Sequence, residues 1–186
     1  MLKQAYAVVI FTALITINDA QRANFSGFHN LTLSYDLATF MNSTLRIWTY
    51  NTTRRTSLEC FVDAVDRVTT EAVYFNRSYR DQGKWSQTSK EGLFQTKDKS
   101  WMMIRRPGGL VETTETLVFA SHNYTCGIFR VGTAGVIGYG RGSYDLRFKD
   151  YAKKDEPDPE CMEKFNEMTP KSKGRLVYFY NCTSMQ

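Results

Sequence analysis

The sequence predicts an all-β domain, with about eight short strands closing into an up-and-down barrel or a sandwich, followed by one helix. Two observations carry the strands. Residues 44–149 run in short stretches rich in β-branched and aromatic side chains that alternate with polar ones. Glycine, proline and aspartate clusters punctuate these stretches as turns do. The third observation is that apolar residues at helical spacing follow Pro159, at Cys161, Phe165 and Met168.

The elements follow in order. A short N-terminal helix is expected within Phe28 to Met41. In Thr44–Asn51, Leu45, Ile47, Thr49 and Asn51 share one face, and Thr44, Arg46, Trp48 and Tyr50 share the other. Leu58–Val68 sets Leu58, Cys60, Val62 and Ala64 against Glu59, Phe61, Asp63 and Val65. Glu71–Tyr79, Gly92–Gln95, Ser100–Ile104, Leu110–Ala120, Tyr124–Val131 and Ser143–Lys149 continue the style. Turns are read at Asp81-Gln82-Gly83, at Pro107-Gly108-Gly109 and across Gly132–Gly142. Asp158-Pro159 supplies an N-cap and a proline at the first helical position, and Thr169-Pro170 ends that helix. Arg175–Cys182 then reads as a returning strand.

The chain begins as an exported protein does. Lys3 precedes an apolar run from Ala5 to Ile17, and a small residue, Ala20, closes it. The run is shorter than the roughly 20 residues that span a bilayer, so residues 1–20 are expected to be a signal peptide and 21–186 a single domain. Nine asparagines include seven in Asn-x-Ser/Thr sequons, at Asn24, Asn30, Asn42, Asn51, Asn76, Asn123 and Asn181. With 32 serines and threonines in 186 residues, chance supplies far fewer, so a glycosylated, extracellular surface is expected. The four cysteines, Cys60, Cys126, Cys161 and Cys182, lack metal-site spacing, and an even count in a secreted chain argues for two disulfides. Three connectivities remain open at this stage.

The composition also excludes functions. The net charge of +5 is scattered over Arg54-Arg55, Arg105-Arg106 and Lys153-Lys154, a solvated surface rather than a nucleic-acid stripe. His29 and His122 each precede a sequon asparagine, a solvent-facing position ill suited to a general base. Gly138–Ser143 has the glycines of a phosphate loop without a surrounding βαβ unit, and reads as a hairpin. Asp63/Asp66 and Glu112/Glu115 read as surface charge rather than a glycosidase pair. The protein is therefore read as a binder and not an enzyme, with no cofactor, no metal and no membrane insertion, and as a monomer. Its 3 Trp, 11 Tyr and 12 Phe supply candidates to line a barrel. The ligand-binding candidates are Trp48, Tyr50, Phe61, Trp101, Phe119, Tyr144 and Asp145, with Tyr74, Met103, Phe129 and Phe148 as further lining residues.

The C-terminal third carries a resemblance. Thr125-Cys126-Gly-Ile-Phe-Arg-Val131, Tyr144–Phe148 and Pro159-Glu-Cys-Met-Glu-Lys-Phe-Asn-Glu167, followed by a strand closing on Cys182, resemble the tick salivary lipocalins of the histamine-binding family. Thr49-Tyr50 followed by Cys60 matches the family's first strand and first cysteine, so the resemblance covers residues 40–182. The ordinary lipocalin Gly-x-Trp signature is absent from the first strand, and Gly83-Lys84-Trp85 carries those letters elsewhere.

The resemblance implies an eight-stranded lipocalin barrel with a C-terminal helix packed outside, and the nested pairing Cys60–Cys182 and Cys126–Cys161. It implies sequestration of a small host mediator, either a biogenic amine such as histamine or serotonin or a lipid or sterol as in japanin-like immune-modulating members. Dampened host inflammatory and immune defence would follow. A further implied alternative is an immune-cell or complement protein bound through the glycosylated surface. Of the acids that an amine binder in this family carries, Asp145 keeps its place on the penultimate strand. The other positions fall on Asn51, near Leu117 and on Gly127. An amine taken out of water must be paired, so Asp145 is the acid such a guest would use, with Trp48 or Tyr50 stacking on it.

Enzymatic removal of N-glycans from the secreted protein should collapse a heterogeneous band to near the peptide mass; unchanged mobility would refute the glycoprotein reading.

Overall fold

The structure, a computed structural model, describes residues 34–134, 142–151, 155–172 and 174–184. The expected signal peptide (1–20), Asn24, Asn30, His29, most of the Gly132–Gly142 segment and Lys153-Lys154 lie outside the described residues. A short helix α1 (Leu37–Met41) leads into strands β1 (Ile47–Thr52), β2 (Glu59–Val68), β3 (Ala72–Asp81), β4 (Lys84–Phe94), β5 (Trp101–Arg105), β6 (Val111–Ala120), β7 (Cys126–Thr133) and β8 (Ser143–Lys149). Helix α2 (Pro159–Met168), the two-residue β9 (Arg175–Leu176) and a 3-10 turn (Tyr180–Cys182) complete the order.

Each strand from β2 to β8 pairs antiparallel with its sequence neighbour, and β1 pairs with both β8 and β2. That double pairing closes an eight-stranded antiparallel barrel. The β1–β2 contact spans only Ile47↔Asp63 and Trp48↔Val62. Beyond it β1 bulges between Thr49 and Asn51, and Cys60 of β2 adopts a left-handed φ of 53°. The strands part there, and the C-terminal segment fills the gap. β9 pairs with Asn51 and Thr52, Val177 N–H donates to Tyr50 O, and Cys60 N–H donates to Val177 O. Arg175 Nη1 adds bonds to the carbonyls of Thr56 and Leu58. Backbone groups at the seam, which an open edge would leave unpaired, are thereby satisfied.

The two disulfides are Cys60–Cys182 and Cys126–Cys161, the nested pairing that the resemblance implies. The first locks the C-terminal segment into the seam; the second fastens α2 to β7. In the chain-entropy picture loops of these lengths contribute about 4–5 kcal/mol each. Under α2 and the C-terminal segment, on the outside of the barrel wall, lie Trp48, Val62, Ile128, Leu146, Phe148, Phe165 and Tyr178. A second apolar cluster fills one end of the barrel, where Leu37, Phe40 and Met41 of α1 pack with Val73, Phe75, Met102, Ile104, Leu117 and Phe129. Asp36 caps α1 by accepting from Thr39 N–H at 3.1 Å, and Leu37 N–H donates to Lys99 O. The short helix is therefore a plug tied down at its N-terminal end and held along its length by apolar packing.

Two sequence expectations change. Apart from Trp85, Lys84–Lys90 is polar and shows no apolar alternation, yet it is the first half of β4. It pairs residue for residue with β3 from Asp81↔Lys84 to Ala72↔Leu93. The hairpin turn at Gln82 and Gly83, with φ of 48° and 81°, sets that register, so the ladder itself rather than a buried face makes the strand. The expected strand Arg175–Cys182 is reduced to Arg175–Leu176, because the chain must turn at Tyr180 to bring Cys182 onto Cys60. The N-terminal helix is limited to Leu37–Met41, and residues 28–33 lie outside the described residues.

Among the described sequons, Asn42, Asn123 and Asn181 are exposed and Asn76 is half-buried. Asn51 differs. It lies between β8 and β9, and its Oδ1 is buried without a hydrogen bond, close against Gly174, where a Cβ would lie 2.2 Å from it. Peptide mapping of protein expressed through a secretory pathway should therefore find Asn51 unmodified while Asn42 and Asn123 carry glycans; a glycan at Asn51 would contradict the paired seam.

Candidate ligand site and the charged interior

Alternation along the strands divides the side chains into two sets. On β8, Leu146 and Phe148 point outward beneath α2, and Asp145 and Arg147 point inward; all four are buried. The same parity sends Asp63 of β2, Arg77 of β3 and Glu115 of β6 into the interior. These residues converge on Arg147. Its Nη1 donates to Glu115 Oε2 at 2.6 Å and lies 3.7 Å from Asp63 Oδ2, and its Nη2 donates to Asp145 Oδ2 at 3.1 Å. The guanidinium lies 4.3 Å from the Phe129 ring centroid.

Two further arginines complete the network. Arg77 grips Asp63 through Nε and Nη2, both at 2.7 Å, and donates to Glu115 Oε1 at 2.7 Å. Arg54, in the loop after β1, takes Asp145 with Nε at 3.1 Å and Nη2 at 2.9 Å, and lies 4.7 Å from the centroid of Phe61. Thr52 Oγ1 donates to Asp145 Oδ1 at 2.6 Å. Three carboxylates thus face three guanidiniums, in agreement with the rule that buried charge must be paired.

The titration of Glu115 reflects this balance. Burial pushes its carboxyl up, but the charges of Arg147 and Arg77, with their hydrogen bonds, outweigh burial and hold it well below the usual carboxylate value. Burial also opposes the charge on Arg147 and Arg77, and the neighbouring carboxylates more than restore it. At the plugged end, burial lowers Lys149, whose Nζ lies 4.9 Å from the Phe40 ring. Outside, burial chiefly raises the Tyr178 phenol to about 12.

Beyond the network, at the opposite end from α1, the barrel opens into a cleft of about 550 Å³ lined by Thr53, Arg54, Arg55, Thr113, Val131, Gly132, Thr133, Gly142, Ser143 and Ser172. This lies within the usual range for small-molecule sites. No carboxylate is among the lining residues. Among the described residues no group of His, Cys, Asp and Glu has the arrangement of a metal site, and no helix is long and apolar enough to cross a membrane.

The sequence-derived candidates separate across the wall. Asp145 and Phe61 face the interior, joined through Arg54. Trp48, Tyr50, Phe119 and Tyr144 pack on the outer side, in the cluster that contains Cys161 and Phe165. Trp48 stacks edge-on with Tyr178 at 5.3 Å, and Tyr50 with Phe148 at 6.1 Å. Trp101 is half-buried and points away from Met102 and Ile104, which face inward. Of the further lining candidates, Phe129 faces inward, Phe148 packs under α2, and Tyr74 lies beneath the guanidinium of Arg67 at 4.2 Å.

Asp63 and Glu115, read from the sequence as surface charge, are 3 % and 0 % exposed. A signal for them existed, since Asp63 shares strand parity with Phe61 and Val65, and Glu115 with Leu117. The compensating arginines come from other strands, so the pairing could not be read locally.

No protein-family model and no curated protein matches the sequence. Solved structures do match the fold, and the closed barrel with its external C-terminal helix is a lipocalin fold. One similar structure is the AM182 serotonin complex, with a TM-score of 0.60 and 16% identity over 80% of this chain and 93% of that one. Another is the siderocalin Ex-FABP, described as having dual ligand specificities, with a TM-score of 0.54 and 7% identity over 73% of this chain and 93% of that one.

Glu115→Gln should destabilise the protein by about 3–5 kcal/mol, because it leaves buried guanidinium charge uncompensated. The Glu115 carboxylate titrates lower folded than unfolded, so its stabilisation is complete above its ordinary value of 4.5 and is lost as pH falls toward the folded value. Denaturant melts from pH 7 to pH 2 should therefore show a shallower acid-side loss in the variant; parallel curves would refute the assignment.

Proposed function

We propose that this protein is a secreted lipocalin-fold carrier that sequesters a small host mediator at the mouth of its barrel, and so dampens host defence. The observation that carries this reading is the cleft of about 550 Å³ standing over described interior residues that are taken up by ion pairs and by the α1 plug. The serotonin complex among similar structures and the resemblance to tick salivary lipocalins support a small-molecule role.

The filled interior favours a compact guest at the mouth over one sunk deep in the barrel. An amine would require a carboxylate, and Asp63, Glu115 and Asp145 are each committed to arginine. A sterol would require apolar volume, and the apolar end is occupied by Leu37, Phe40 and Met41.

Organic extraction and native mass spectrometry of the purified secreted protein should release a guest at near-stoichiometric yield. Thr113→Trp, which fills the cleft, should lose that guest while retaining its melting temperature. A guest that stays bound in Thr113→Trp would place binding elsewhere.

A further inference from the structure

We propose that the mouth cleft is an anion site, taking a compact ligand that carries a carboxylate or phosphate-type group; the inference rests on the small-molecule reading above and deepens it. Charge balance is the starting point. Asp63, Glu115 and Asp145 are matched by Arg77, Arg147 and Arg54, so the interior network is neutral. Arg55 is adjacent in the chain, exposed, and forms no ion pair with the described residues. The described lining of the cleft therefore carries a net positive charge.

The donors are arranged to match. Arg54 spends Nε and Nη2 on Asp145, and its Nη1 donates to none of the described residues, with the guanidinium fixed by that clamp and by Phe61. A fixed planar fork loses little freedom on taking a second oxyanion. Arg55 supplies a mobile positive charge beside it. Hydroxyls of Thr53, Thr113, Thr133, Ser143 and Ser172 line the remainder. Thr53 Oγ1 already accepts from Tyr144 N–H at 2.7 Å, so its proton is directed to another acceptor. A cationic amine entering here meets positive charge and no carboxylate, whereas an oxyanion meets charge-assisted donors.

The test uses the full secreted protein and probes that differ only in the head group: decanoate, methyl decanoate and decylamine, with benzoate and inorganic phosphate alongside. Calorimetry should give decanoate or benzoate an affinity about tenfold above the ester and the amine, the gain of one charge-assisted contact. If phosphate binds and the carboxylates do not, the inference stands with a phosphate-type head. Arg55→Gln, at an exposed position outside the network, should weaken anion binding by about tenfold, more than it weakens ester binding, and leave the melting temperature unchanged. Equal or tighter binding of the ester or amine, or an Arg55→Gln variant with wild-type anion affinity, would overturn the anion site. A neutral or cationic guest found by native mass spectrometry would overturn it too, while leaving the carrier reading intact. If no probe binds and no guest is released, both fail together.

Discussion

The pairing of Arg147 with Glu115 is the interaction on which the interior depends. Each is completely or almost completely removed from water, and each is tolerable only because the other is present. The bond joins β6 to β8 across the barrel, and Arg77 with Asp63 extends it to β2 and β3. Four strands are thereby cross-linked at the middle of the barrel by side chains whose positions are fixed by several hydrogen bonds each. An apolar core of the same volume would pack as well without this directional constraint. The network also divides the interior, with an α1-plugged apolar end on one side and an open polar mouth on the other.

The outside of the barrel solves a separate problem. β1 and β2 meet over only two residue pairs, and the seam beyond them would expose backbone donors and acceptors. The C-terminal segment enters that gap, and the Cys60–Cys182 bond keeps it there. α2, tied by Cys126–Cys161, covers the aromatic face next to it. This explains why residues of both parities on β8 are buried: the inner ones by the ion network, the outer ones by the helix. Aromatic abundance in this chain therefore serves the outer packing as much as the interior.

These two arrangements bear on binding chemistry. Among the described residues the interior acids Asp63, Glu115 and Asp145 are each paired with arginine, so an amine guest there would have to displace one of those pairs. What remains open is a mouth edged by arginine and hydroxyl groups. The fold is shared with solved structures below 20% identity, as expected where strand pairing sets the wall and the inward side chains are free to vary.

Several features were legible in the sequence by itself. Alternation and turn residues marked the strands between Thr44 and Lys149 except the first half of β4, and Asp158-Pro159 marked where α2 begins. The family resemblance supplied the barrel and the disulfide pairing that the structure contains. Lys84–Lys90 escaped because a strand held by its ladder to β3 needs no alternating apolar face, and Trp85 alone does not make one. Trp48, Tyr50, Phe119 and Tyr144 were read as pocket-lining aromatics, but the side of the wall they occupy was not legible, since both sides of this wall are covered. Asp63 and Glu115 were the least legible. Their partners Arg77 and Arg147 lie 14 and 32 residues away, and a charge in a strand reads as solvent-facing until closure sets its counter-charge opposite. The sequence thus determined the strands, the crosslinks and the covering helix through local periodicity and cysteine order. Only the tertiary structure decided what fills the barrel, because pairing energy between buried charges depends on distances that exist only once the barrel closes.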